Sequence, residues 1–353
     1  MLFRSDFVRV SYEDFTADAN GTASFAFAAF DSGKHNWELR IEHEASLLGS
    51  IGLGNKELAA KVYNVSRHWT GTAFARLTKL ATMDSDYTAQ DGEVLTGTLA
   101  STVKISIAHG ATVTLNDVTI NGVSDLSYNW AGITCLGDAH IILSGVNSVK
   151  GFYEDYPGIQ AGPAGKTLTI SGTGSLTATN NGYAAGIGGG YGTSCGNIVI
   201  NGGEIEATGG TEAGAGIGSS TTSCGNITIN GGTVTAYGGS NSAAIGSGAA
   251  AALGEWGSCG NISITGGTVT AYGYANAAAI GSAYNGVCGH ITIGAGITSV
   301  KAVKGGAEGS HIGGGAGTAA TCGAVSIDAS LTQTITKTYN TNDTLTLTPA
   351  TTP

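Results

Sequence analysis

The residues of this chain best suited to chemistry are few. The stretch "GFYEDYPG" (151–158) sets Glu154 and Asp155 between Tyr153 and Tyr156. Carboxylates flanked by phenols can bind the hydroxyls of a polyol, or lend oxygens to a calcium ion. Tyr128, Trp130, Tyr183, Tyr191, Trp256 and Tyr284 add rings elsewhere. Sugar rings present apolar C–H faces, on which exposed aromatic rings stack. The plainer alternatives are rings that only cover the edges of the fold and an acidic turn that is only solvated.

Five cysteines, Cys195, Cys224, Cys259, Cys288 and Cys322, head near-identical phrases, "CGNIVINGG", "CGNITINGG" and "CGNISITGG" being the clearest. No CxxC or clustered His–Cys spacing occurs, so zinc is not indicated. A nucleophilic cysteine needs a partner base, and a motif repeated along the chain has no privileged copy. The expectation is a column of small buried thiols close enough for neighbours to pair; five cannot all pair, and Cys135 stands in a different context. Asn197, Asn226 and Asn261, with His290 in line, are expected to form a second column that bonds turn backbone.

Cationic groups are sparse. No arginine follows Arg76, and residues 84–353 hold 6 lysines against 16 acids, a net of −10. Polysaccharide lyases use a basic residue near a charge-neutralising group, which this body hardly offers. No carboxylate pair recurs in a cleft-like setting, so glycoside hydrolysis is unsupported as well. The reading is therefore of a binding protein rather than an enzyme, with no cofactor required and calcium a candidate ligand of Glu154 and Asp155. An acidic body repels nucleic acid and anionic membranes. No run of about 18 apolar residues exists to span a bilayer.

Glycine is 59 of 353 residues, more than twice the ordinary share of roughly 7%, while proline is only 4. That excludes collagen and points to tightly turned β-structure. The isoleucine after each "GN" falls at 198, 227, 262 and 291 (where "GH" stands in for "GN"), with Val325 next, at intervals of 29, 35, 29 and 34. A second column reads "AGIG", "AGAGIGS", "AAIGSG", "AAIGSA" and "HIGGG"; a third reads "EIEATGG", "TVTAYGG" and "TVTAYGY". The pattern weakens upstream but persists to about residue 103. Three short strands per repeat, none able to fold alone, predict a parallel β-helix of about eight coils stacked roughly 4.8 Å apart. Alternation puts the isoleucines of "NITI" and Val234 and Ala236 of "TVTAY" inside. Outward threonines such as Thr228, Thr235 and Thr270 suggest an ice-binding face, but Glu206 and Tyr237 interrupt it.

In the "AGIG" column, alternation turns Gly or Ala outward: Gly186, Gly216, Ala244 and Ala279 on one line, and Gly188, Gly218, Gly246, Gly281 and Gly313 on another. The expectation is a flat, bare stripe along which a ligand lies. Tyr128, Trp130, Tyr153, Tyr156 and Tyr183, with Tyr274 later, rim one side, and Tyr191, Trp256 and Tyr284 the other. "GIGGG" looks like a dinucleotide loop but lacks the strand-to-helix context and recurs every coil.

Residues 1–83 differ, with 9 basic and 9 acidic side chains. "GTASFAFAAFDSG" and "WELRIEHE" read as strands and "NKELAAKVYNV" as a short helix, giving a small β-rich N-terminal domain. "MDSDYTAQDG" (83–92) reads as a linker, 84–330 as the β-helix, and 331–353 as a capping strand and tail. "MLFRSDFVRVSYEDF" lacks a secretory apolar core, so a removed leader or another exit route, such as a virus particle, is expected.

From "WAGITCLGDAHIILSGVNSVKGFYEDYPGI" through "KTLTISGTGSLTATNNGYAAGIGGG" to the "CGNITINGGTVTA" repeats, roughly residues 100–328, the chain resembles the carbohydrate-binding β-helix family of cellulolytic and gut bacteria. The resemblance implies an all-β, right-handed parallel β-helix that binds acidic or neutral plant polysaccharide, usually on the cell surface, with calcium sites associated. It does not cover residues 1–83. The leading functional expectation is a non-catalytic glycan-binding or adhesive protein, extracellular or on a bacterial surface, partnered by polysaccharide or cell-surface glycan. The alternative is a phage tail fibre or tailspike in the virion, which would be a homotrimer.

Overall fold

The computed structural model describes residues 77–336 and 343–350 with side chains (Ala251 by backbone only), and before residue 77 the backbone of strands alone. The chain divides into two units, 1–78 with 92–94, and 79–91 with 95–353.

In the first unit the described pairings are antiparallel. Lys34–His43 lies between Leu2–Arg4 and Ser46–Glu57, and Val62–Trp69 between Thr22–Ala28 and Phe74–Lys79. Both stretches read as strands from their alternation are strands. The helix read over "NKELAAKVYNV" is not there: Asn55–Glu57 ends one strand and Val62 begins the next, while 58–61 lie outside the described residues. Its helix-forming residues are outweighed by ladder pairing, with Tyr63 opposite Phe27 and Val65 opposite Phe25.

The second unit is a parallel β-helix. One sheet stacks nine short strands in chain order, from Tyr87–Ala89 through Ile105–Ile107, Ile133–Cys135 and Ile159–Gln160 to the Ile–Gly pairs at 187, 217, 245, 280 and 312. The stretch 83–92, read as a linker, therefore supplies the first rung: Tyr87–Ala89 pairs in register with Ile105–Ile107, and Asp91 accepts the Thr112 N–H. The other strands fall into two runs per coil. Isoleucines 198, 227, 262 and 291 stack in register, each at most 1% exposed. Val149, Ala178, Ala207, Ala236, Ala271 and Ala302 form a second buried column. Burying an isoleucine contributes about 1.5–3 kcal/mol, so repetition builds a core that no single coil possesses. From Cys224 on, each coil adds a two-residue strand, Ser223–Cys224, Ser258–Cys259, Val287–Cys288 and Thr321–Cys322, making four strands per coil rather than three.

The stacking ends where the chain reverses. Thr344–Pro349 runs antiparallel on Ile297–Val303 and on Leu331–Thr336, and Leu331, Leu345 and Leu347 close over the core. An antiparallel final strand halts parallel propagation of coils, as a solenoid end requires.

The asparagine column does what its spacing predicts. Asn197 Oδ1 accepts the Asn226 N–H at 2.9 Å, Asn226 accepts the Asn261 N–H at 2.8 Å, Asn261 accepts the His290 N–H at 2.8 Å, and His290 Nδ1 accepts the Ala324 N–H at 3.0 Å. Each side chain thus satisfies the next coil's backbone at a corner. Because Asn226 is exposed, water replaces much of the lost bond in Asn226→Ala. That variant is expected to cost about 1 kcal/mol. Asn147→Ala is expected to cost about 3 kcal/mol, because Asn147 is 1% exposed and bonds Val118 N–H and the carbonyls of Ser144 and Ser175. Urea melts of the two variants check the ordering.

Candidate functional site

The glycine stripe is not a platform. Gly186, Gly188, Gly216, Gly218, Gly246, Gly281 and Gly313 are all buried, as are Ala244 and Ala279. Alternation fails here because the Ile–Gly strand is two residues long and the segments on either side of it meet. The Ala185 N–H reaches Gly189 O at 3.0 Å, with the same bond at Ala215–Ser219, Ala243–Ser247 and Ala278–Ser282. A buried serine column locks successive turns together: Ser219 Oγ accepts the Gly248 N–H, Ser247 Oγ the Ala283 N–H, and Ser282 Oγ the Gly315 N–H. The segments that carry Tyr183 and Tyr191, on opposite rims in the sequence reading, therefore meet in one surface over the stripe.

The richest part of that surface is built on "GFYEDYPG". Phe152 (1% exposed), Pro157 and Gly158 are buried and anchor the loop; Tyr153, Asp155 and Tyr156 are half-buried and Glu154 is exposed. Asn180 of the next coil, itself 4% exposed, pins it. Its Nδ2 donates to Tyr153 O at 3.1 Å and Tyr156 O at 2.6 Å, and its Oδ1 accepts the N–H groups of Gly182 and Ala184 at 2.6 and 3.2 Å. The same coil grips the acidic pair from both sides, Tyr183 N–H donating to Glu154 O and Tyr191 N–H to Asp155 O, each at 2.8 Å. The rings of Tyr183 and Tyr191 thereby come to 5.4 Å, tilted by 55°.

Across them stands a short hairpin, Ala249–Ala250 paired with Glu255–Trp256, which projects from a coil two turns on. Glu255 reaches back to the Tyr191 hydroxyl. That hydrogen bond, then burial, then the charges of Glu255 and Asp155, push the Tyr191 phenol up. Burial first, then Asp155 and Glu154, push Tyr153 up as well. Asp155 is raised by burial and by Glu154 beside it. The cluster thus offers protonated phenols as donors, exposed carboxylates at Glu154 and Glu255 as acceptors, and at its edge the Trp256 indole, 43% exposed.

The other sequence candidates lie apart. Tyr128 and Trp130 pack edge-on to one another at 5.4 Å and against Phe152 at 6.5 and 5.8 Å, on the core. Tyr156 lends its carbonyl to Asn180. Tyr284 lies three coils beyond Tyr191, its N–H on Asn241 O at 2.9 Å. Glu255 was missed by sequence reasoning; its one signal is the 35-residue interval between Ile227 and Ile262, which marks the inserted hairpin. Calcium takes roughly six to eight oxygens, and Glu154 with Asp155 supplies too few alone. No group of three or more His, Cys, Asp or Glu side chains able to hold a metal occurs among the described residues.

No curated protein and no solved structure matches the chain. The family model for the beta helix repeat matches residues 168–191, 198–221, 227–249 and 262–284. Each match starts at the first buried aliphatic of a coil, Leu168, Ile198, Ile227 or Ile262, and ends just beyond the next Ile–Gly pair. Four successive coils of the parallel β-helix thus match the beta helix repeat.

Proposed function

We propose that the protein is a non-catalytic glycan-binding, adhesive β-helix whose binding site is the surface formed by Tyr153, Glu154, Asp155, Tyr183, Tyr191, Glu255 and Trp256. The observation that carries this reading is the convergence of loops from three coils onto the Tyr183–Tyr191 pair, with Glu255 beside the Tyr191 phenol. Rings, phenolic donors and carboxylate acceptors are the inventory that recognises a saccharide's C–H faces and hydroxyls. Three carboxylates in one site repel uronates, so the ligand class is neutral polysaccharide, in keeping with the body's net charge of −10 over residues 84–353. Phenols held protonated as donors and exposed carboxylates as acceptors suit holding a chain rather than cleaving it.

A glycan array with the purified protein, with and without calcium, tests this. Binding to neutral glycans is expected in both conditions. Trp256→Ala and Tyr153→Ala are each expected to weaken binding at least about tenfold in Kd, roughly 1.4 kcal/mol. Unchanged affinity in both variants, or binding restricted to uronate polymers, would overturn the reading.

A further inference from the structure

The cysteine column carries an inference separate from the glycan site. Cys224, Cys259, Cys288 and Cys322 stand opposite one another in consecutive in-register parallel strands. Above them Cys195 is already bonded to Cys224, at a Cα–Cα distance of 4.6 Å. The three thiols below that bond continue the column, each in register with the next. Cys288 Sγ donates to Gly260 O at 3.9 Å and Cys322 Sγ to Gly289 O at 3.7 Å, each carbonyl lying next to the cysteine one rung back, and Cys322, only half-buried, is the end of the column nearest solvent. Parallel neighbours lie about 4.8 Å apart, inside the disulfide range, whereas next-but-one rungs lie roughly twice as far and outside it. Bonds can therefore join adjacent rungs only.

We propose that Cys195, Cys224, Cys259, Cys288 and Cys322 form one disulfide-exchange column, in which a second disulfide closes on Cys288 and the bonds then shift rung by rung. The chemistry balances with a small-molecule disulfide as oxidant. The Cys322 thiolate attacks it, forming a mixed disulfide and releasing one small thiolate. The Cys288 thiolate attacks the Cys322 sulfur, forming Cys288–Cys322 and releasing the second. One external disulfide is reduced to two thiols as two protein thiols are oxidised. The Cys259 thiolate can then attack Cys288, transferring the bond and returning Cys322 to a thiol; attack by Cys259 on Cys224 instead frees Cys195. Two adjacent-rung bonds among five rungs leave one thiol over, and only the first, third or fifth rung can be the one left. The leftover thiol therefore rests on Cys195, Cys259 or Cys322, and never on Cys224 or Cys288. Burial, then Cys288, pushes the Cys322 thiol up to about 12, so the exchange is slow at neutral pH and accelerates in base.

The test incubates the full chain with oxidised glutathione at about pH 9, then denatures it in an alkylating agent and maps labels and linkages by mass spectrometry. Before oxidation four cysteines take label, Cys135, Cys259, Cys288 and Cys322. Afterwards two are expected: Cys135 and one of Cys195, Cys259 or Cys322. In Cys288→Ser the mixed disulfide on Cys322 has no adjacent thiol to resolve it, so glutathione is expected to stay on Cys322 and no second disulfide to form between protein cysteines; Cys288→Ala, which introduces no buried hydroxyl, gives the same reading. Retention of all four labels in the parent protein, a persistent glutathione adduct on Cys322 of the parent, a leftover thiol on Cys224 or Cys288, or a second disulfide between protein cysteines in the Cys288 variants would each overturn the proposal. None of these outcomes bears on glycan binding.

Discussion

Gly246→Ala is expected to destabilise the β-helix by about 4 kcal/mol or more and to leave little folded protein, although it adds a single methyl group. Gly246 sits at φ +140°, and Gly188, Gly218, Gly281 and Gly313, its counterparts in other coils, lie between +134° and +139°. This region of backbone space is essentially closed to residues with a Cβ, at a cost of roughly 1–3 kcal/mol. Sterics add to it: a Cβ on Gly246 would overlap the Gly281 carbonyl, and one on Gly218 the Gly246 carbonyl, so the column stacks backbone directly on backbone. The neighbour cannot yield, because it is the next coil's own ladder. A solenoid depends on every interface between coils, so a break in the middle separates the stack into two short halves. Gly314→Ala is the control. Nothing lies within 4 Å of a Cβ there and its φ is ordinary, so a change within about 0.5 kcal/mol is expected. Urea denaturation followed by circular dichroism reads both. If Gly246→Ala melts like the parent, the claim that this column fixes the coil turn is wrong.

That result bears on what the sequence could show. The depth of Ile198, Ile227, Ile262 and Ile291 follows from alternation, because each lies in a strand long enough for period two to hold. The Asn197–Asn226–Asn261–His290 column is legible for a similar reason: equal spacing from the stacked isoleucine puts like side chains at like corners. The same rule misplaced Gly188 and its counterparts. In a strand of two residues, inward and outward are decided by the turns on either side, and positive φ re-aims the chain. The tyrosines were recognised as a surface set, but the pairing of Tyr191 with Glu255 spans an inserted hairpin whose fold no periodicity encodes. Phe152 explains why Tyr128 and Trp130 pack inward: the aromatic within "GFYEDYPG" that is 1% exposed draws them onto the core.

Asn180 is the residue on which the proposed glycan site most depends, although it faces no ligand. Asn180→Ala removes the donor to Tyr153 O and Tyr156 O and the acceptor for the Gly182 and Ala184 N–H groups, at a position 4% exposed. Each buried group left unpaired costs about 1–3 kcal/mol, partly recovered by relaxation and water, so a loss of about 2–4 kcal/mol is expected. The loop that carries Tyr153, Glu154 and Asp155 loses its pin, and glycan binding is expected to fall below detection even at temperatures where the β-helix remains folded. Asn180→Asp separates the two halves of the role. Its carboxylate still accepts from Gly182 and Ala184, but it turns an oxygen toward the Tyr153 and Tyr156 carbonyls, where like partial charges repel. It is therefore expected to lose binding as fully as Asn180→Ala. Tyr153→Ala, by contrast, is expected to lose binding while its melting curve stays near the parent's, because its ring is half-buried and Asn180 holds that residue by its backbone. Calorimetric titration with the best array ligand, run beside thermal melts of the three variants, distinguishes a residue that shapes the site from one that touches the sugar. Parent-like affinity in Asn180→Asp would show that the loop needs no donor there, and that the site is held by Tyr183 and Tyr191 alone.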